Sequence, residues 1–170
     1  MQRAISCLLL LSWALWFGGM ISLVLFVMRL FQTDRNLAVL AAPVLFTAFA
    51  IYQIIVGLLA CAAGTFLAWT NSSKIQALLS LLMITALGLA TVIRAWTFEM
   101  ITLDRGDAAQ MNRFQFLHHG TTALYEIATC LLLVAGVGWM ITLILQRRRV
   151  GGTEPGTGSL AEAAGQSQVA

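Results

Sequence analysis

The sequence predicts an all-α membrane protein, a bundle of four transmembrane helices followed by a disordered C-terminal tail. Three observations carry this. Of 170 residues, 59% are apolar and 10% charged, against roughly 45–50% and 25% in soluble domains. A soluble chain of this size has too much surface to cover with so few charges. Second, four stretches are long and apolar enough to cross a hydrocarbon core about 30 Å thick, which takes about 20 residues of helix. Third, the ~10-residue alternating segments of a β-barrel are absent, and backbone groups in lipid must then be satisfied within helices. The same figures exclude general disorder, which needs few apolar residues and many charges. Nucleic-acid binding is excluded as well. The net charge is only +3, and no basic stripe lies beside aromatics.

The first span covers about 4–28, between Arg3 and Arg29. Its apolar run of about 25 residues exceeds the roughly 7–15 of a signal-peptide core, and no small-residue cleavage site follows, so it is read as a retained helix. The uncharged stretch from Asn36 to Ser73 is longer than one span needs. Its membrane part is placed at about 43–69, with Pro43 in the first helical turn, where a missing N–H costs nothing. The residues before Pro43 are expected to form a short interfacial helix. Thr70 to Lys74 is a short polar turn, which makes spans two and three a tight antiparallel hairpin. The third span is about 75–96. Thr97 to His118 is the longest and most polar connection. Within it Asp107 is placed to cap a helix starting near Ala108, so that the fourth helix begins outside the bilayer. Its span, about 121–146, is interrupted only by Glu126. The membrane domain is thus 1–149. The residues 150–170, rich in Gly, Ser, Gln, Ala and Glu, read as the disordered tail.

Orientation follows Lys and Arg in short loops. With four spans, Arg3, Lys74, Arg147, Arg148 and Arg149 share a side, and Arg29, Arg35, Arg105 and Arg113 lie on the other, with Arg94 near its edge. The arginine triplet directly after the last span tips the balance to both termini in the cytoplasm and a place in the cell (inner) membrane. Cys7, Cys61 and Cys130 each fall within a span, far apart in sequence, and read as small buried apolar residues rather than a disulfide framework. Trp69 and Trp96 suit opposite membrane interfaces. The glycines, and the Ala60–Gly64 small-xxx-small pair, supply surfaces for close helix contact.

A few polar residues are out of place. An ionisable side chain inside a span costs about 2.5–3.5 kcal/mol on insertion scales. Glu126 lies about 30 Å from Gln146 and Arg94 about 28 Å from Ile75, at 1.5 Å per residue. The two charges therefore fall at nearly one depth on neighbouring helices and are expected to pair or to share a polar pocket. Gln53 reaches a similar depth. His119, Thr122 and Glu126 recur at steps of four and three and share one face of the fourth helix. The expected polar intramembrane cluster is Gln53, Arg94, His119, Thr122 and Glu126, serving either helix packing or the binding of a small partner. His118 and His119, with Met100 and Met111 flanking the same connection, are weak metal-ligand candidates.

Several residues together resemble a family. The chain is similar to the transmembrane protein 205-like family, also called domain of unknown function 4149, whose members have about four spans. Trp16, Gly18, Phe26 and Phe31 in the first helix resemble its Trp-x-Gly opening and later Phe positions. Pro43 and Phe46 resemble its Pro-x-x-Phe, and Phe116, His119, Gly120 and Thr122 its Phe-x-x-His followed by a small hydroxyl residue. Arg94 with Trp96 resembles an Arg and Trp near the end of the third span, although the Pro that follows in some members is missing. The likeness covers roughly residues 9–145. It implies no settled biochemical activity, and it marks His119 as more than an interfacial residue.

The leading expectation is a non-enzymatic multi-pass membrane protein, with the lipid bilayer and either a second copy or another membrane protein as partners. The alternative is copper or other small-solute handling, similar to copper-resistance membrane proteins. A haem-binding subunit is disfavoured, because axial histidines must face each other from separate helices, whereas His118 and His119 are adjacent. Catalysis is disfavoured because the chain has no nucleophile–base pair in a usual context, no phosphate-binding loop, no Gly-rich nucleotide fingerprint and no zinc-protease motif.

Overall fold

The computed structural model describes residues 1–104 and 106–151. Among these, four helices follow in order: α1 (Gln2–Thr33), α2 (Arg35–Thr70), α3 (Lys74–Thr102) and α4 (Ala108–Gly151). The shortest has 29 residues, about 44 Å at 1.5 Å per residue, so each exceeds the membrane core. All four are long and apolar enough to cross a membrane. Each helix packs on the next in sequence, and a narrower α1–α4 seam closes the ring. The result is an up-down-up-down bundle, with both ends of the described chain and the α2–α3 turn at one end. Of the expected tail over 150–170, the first two residues instead continue α4 to Gly151, and 152–170, like Arg105, lie outside the described residues.

The local signals explain where the helices stop. Asp34 ends α1 and caps α2 in one residue: its carboxylate accepts from the backbone N–H groups of Asn36 and Leu37 at 3.0 Å. This early cap corrects the sequence reading. There is no separate interfacial helix, and Pro43 lies inside α2 rather than in its first turn. A proline there removes one intrahelical hydrogen bond, and neighbouring Thr47 donates its hydroxyl to the Pro43 carbonyl at 2.8 Å. The α2–α3 turn is tight, as expected. Ser72 N–H donates to the Trp69 carbonyl and Ser73 N–H to that of Ala68, the crossed pair of a Schellman motif. Ser72 sits at φ 47°, a left-handed position that glycine usually takes. Asp107 caps α4 as the sequence predicts, accepting from Ala109 N–H at 3.0 Å.

The core runs along the bundle axis. Leu9, Trp16 and Met20 of α1 meet Val56, Ala60 and Leu67 of α2, Leu79, Met83 and Ala86 of α3, and Ala128, Leu132, Ala135 and Trp139 of α4. A second, smaller cluster joins α1 to α2 alone through Leu23, Val27 and Ala42. Outward positions such as Leu11, Leu25, Leu40, Val44 and Phe98 are apolar and exposed, the inside-out pattern of a protein that lipid solvates. In lipid, helix association rests on close packing and hydrogen bonds rather than on expelling water. The bundle uses both. The Trp13 indole fills the place where a side chain at Gly136 would be, and its Nε1–H donates to the Leu132 carbonyl at 2.7 Å. Tyr125 Oη–H donates to the Met20 carbonyl at 3.0 Å. These two bonds tie the α1–α4 seam. Ala60 and Gly64 are both buried, in keeping with their reading as a close-contact pair.

The cysteines divide. Cys61 is buried, but Cys7 and Cys130 are exposed on the outer surface, and all three are free thiols. The reading of all three as buried is therefore corrected for two. Of the tryptophans, Trp16 and Trp139 are core residues at 0% and 1% exposure, while Trp69 is 81% exposed, as an interfacial residue would be.

Candidate functional site

The orientation of α4 is set at its start. Gln110 accepts from Asp104 N–H at 2.7 Å and donates to the Asp107 carboxylate at 3.3 Å, which folds the α3–α4 connection onto the first turn of α4. Arg113 then grips Glu99 of α3 with two hydrogen bonds, Nε–H at 2.8 Å and one Nη–H at 3.2 Å. This is the only ion pair among the described residues. It lies beyond the apolar runs of both helices. The Arg113 guanidinium bound to it holds the Glu99 carboxyl below the usual carboxylate range. Arg113 also sits over the Phe116 ring at 5.7 Å, and Phe116 lies against Trp96 at 6.2 Å. One turn on, Gly120 lets the Trp96 ring approach to 2.6 Å of where a Cβ would stand. Ion pair, aromatics and glycine together fix how α4 is rotated against α3.

That rotation decides what the polar residues can do. The buried residues of α4 include Leu117, Ala128, Leu132, Ala135 and Trp139. His119 and Glu126 are each two positions from one of these, about 200° around the helix. His119, Thr122 and Glu126 therefore share a face, as the spacing predicts, but the face points away from the bundle and all three side chains are exposed. Gln115, one turn earlier, is exposed as well. His118 is exposed and stacks on Phe114 at 5.9 Å. Its ring lies 5.9 Å from that of His119. Among the described residues no three His, Cys, Asp or Glu side chains come together as a metal site would require.

The expected cluster is not assembled. Gln53 faces the interior at 3% exposure, whereas Arg94, His119, Thr122 and Glu126 are exposed. Arg94 and Glu126 do not pair. Trp96 and Gly120 mark the line where α3 and α4 meet; Arg94 is two residues, about 200°, from the first, and Glu126 is six residues, a net 120°, from the second. The depth arithmetic brings the two charges near one level, and the helix rotation turns them apart.

The structure also shows polar residues that the sequence reading passed over. Gln76 is 1% exposed. Its carbonyl oxygen accepts from Asn71 Nδ2 at 3.0 Å, and Asn71 in turn accepts from Gln2 Nε2 at 3.3 Å. Ser80 donates to the Gln76 backbone carbonyl at 2.9 Å. The signal was present, because Ser73-x-x-Gln76 is a capping-box pattern, and Ser73 Oγ does accept from Gln76 N–H at 3.4 Å. Trp16 Nε1, Gln76 Nε2, Thr121 Oγ and Trp139 Nε1 are buried without a hydrogen-bond partner. Comparison with protein-family models, curated proteins and solved structures finds no match to this chain.

Proposed function

We propose that the chain is a non-enzymatic protein of the cell (inner) membrane, with both termini cytoplasmic, that binds another membrane-embedded protein segment through the outward polar face of α4. It is also proposed to be a member of the transmembrane protein 205-like family, on the motifs given above. The observation that carries the binding reading is the direction of Glu126, exposed and turned away from the bundle within the apolar run of α4. A carboxylate left in lipid at that depth is expensive, and a partner helix offering a donor removes the cost. His119 and Thr122 extend the same face by two turns and add hydrogen-bonding groups to it.

Photo-crosslinking in native membranes tests this. A photoreactive residue in place of Ile127, exposed beside Glu126, is expected to give a discrete protein adduct that Glu126→Leu removes. The same residue in place of Ile141, exposed on the apolar part of α4, is expected to label lipid. Lipid adducts alone from position 127 would refute the reading. A reporter enzyme fused after Gln168 should be active only in the cytoplasm if the orientation is right.

A further inference from the structure

Among the described residues, the bundle end that carries the α2–α3 turn is electrically one-sided. It presents Arg3, Lys74 and Arg148, all exposed. The described acidic residues, Asp34, Glu99, Asp104, Asp107 and Glu126, lie elsewhere, at the opposite end or on the far half of α4. Lys74 is the single lysine of the chain. The Gln2–Asn71 hydrogen bond holds the start of α1, and with it Arg3, at the same turn.

Just inside this end, Trp69 stands out from α2 with 81% of its surface exposed. A shallow apolar groove runs down each side of it. One, of about 440 Å³, lies between α2 and α3 over Thr65, Ala68, Ala77, Leu81 and Ile84. Ala68 and Ala77 make its floor low, and Lys74 lies one turn from Ala77. The other, of about 470 Å³, runs along α2 over Leu58, Ala62, Thr65 and Phe66. Trp69 and Thr65 border both, so the two grooves diverge from one point beneath the cationic turn.

We propose that this surface binds one anionic diacyl phospholipid, its two acyl chains straddling Trp69 and its phosphate held by Lys74 and Arg3. Charge complementarity selects the headgroup, and paired grooves meeting under one ridge select two chains on one glycerol. Each basic residue near a membrane surface contributes enough to change anionic-lipid binding about fivefold.

The test is native mass spectrometry of the full chain released from micelles containing equal amounts of phosphatidylglycerol and phosphatidylcholine of matched chains. The expected result is retention of one phosphatidylglycerol, preferred several-fold. Lys74→Gln should cut that preference about fivefold and Lys74→Arg should keep it. Trp69→Ala should reduce retention of both lipids, and single-chain lysophosphatidylglycerol should be held less well than the diacyl form. Equal retention of the two lipids by the wild type would overturn the proposal, as would a preference that Lys74→Gln leaves intact. A dimer that Trp69→Ala breaks into monomers would assign the face to a second copy and overturn it too.

Discussion

Replacing Gly136 by alanine should weaken the bundle, although the same change ordinarily helps a helix. Alanine gains about 1 kcal/mol over glycine in helix propensity. At Gly136 the new methyl would occupy space that the Trp13 indole already fills. The contact is with the rigid five- and six-ring junction, which cannot fold aside as the end of a flexible chain can. The ring must shift, and two interactions are weakened with it. Its hydrogen bond to the Leu132 carbonyl, 2.7 Å long, contributes about 0.5–1.5 kcal/mol net. Its stacking on Phe17, at 5.6 Å and 8° between planes, contributes about 0.5–1.5 kcal/mol more. Overpacking of a close contact costs about 1–3 kcal/mol by itself. These overlap, so they do not simply sum, but together they outweigh the propensity gain. A net loss of about 1–3 kcal/mol is expected, concentrated on the α1–α4 seam.

Thermal or denaturant unfolding of the purified protein in one fixed detergent would measure it. Gly18→Ala is the matched control, because nothing lies within 4 Å of the Cβ position there, and it should be neutral or stabilising by up to about 1 kcal/mol. A double-mutant cycle isolates the cause. In a Trp13→Ala background, Gly136→Ala should lose most of its effect, giving a coupling on the order of 1 kcal/mol or more. A Gly136→Ala variant as stable as Gly18→Ala, or losses that add without coupling, would refute the Trp13–Gly136 account of how the ring of helices closes.

Two further outcomes follow from the hydrogen bonds. Tyr125→Phe removes the second tie of the α1–α4 seam, the bond to the Met20 carbonyl; it should lower stability by about 1 kcal/mol in the same detergent unfolding assay. The Glu99 carboxyl should titrate below its ordinary value in an NMR titration of the side chain, and Arg113→Gln should move it up. Since the folded-state value is depressed, the ion pair's contribution is present above the unfolded-state value and is lost as pH falls through the folded one. A Glu99 titration unchanged by Arg113→Gln would refute the pairing.

The number of helices able to cross a membrane was legible because it depends on a one-dimensional quantity, the length of apolar chain between charges. The Asp107 cap and the 70–74 hairpin turn were legible for a similar reason, each depending on a few adjacent residues. The start of α2 was misread because two local signals competed. Pro43 fits a first turn, but Asp34 supplies a capping carboxylate nine residues earlier, and nothing between them breaks a helix. The cluster of Gln53, Arg94, His119, Thr122 and Glu126 failed differently. Depth follows from counting residues along a helix, whereas azimuth depends on which side chains meet across a seam. Those contacts, Trp13 over Gly136, Trp96 over Gly120 and Arg113 on Glu99, join positions far apart in sequence, and no periodicity within one helix specifies them.

The azimuth changes what the polar residues imply. Had Glu126 faced Arg94 across the seam, the two would have formed an internal pair, and their polarity would be explained by packing alone. Turned outward, Glu126, Thr122 and His119 add nothing to the cohesion of the bundle, whose core is closed by Trp16, Trp139 and the aliphatic residues around them. The seams instead use backbone carbonyls as acceptors for Trp13 and Tyr125, which leaves the α4 stripe free for a bond outside the chain. Double substitution separates the alternatives. Arg94→Gln and Glu126→Gln should act additively on the stability of the isolated bundle, since they share no partner within it. Coupling between them would return the pair to the interior and remove the main support for a docking face on α4.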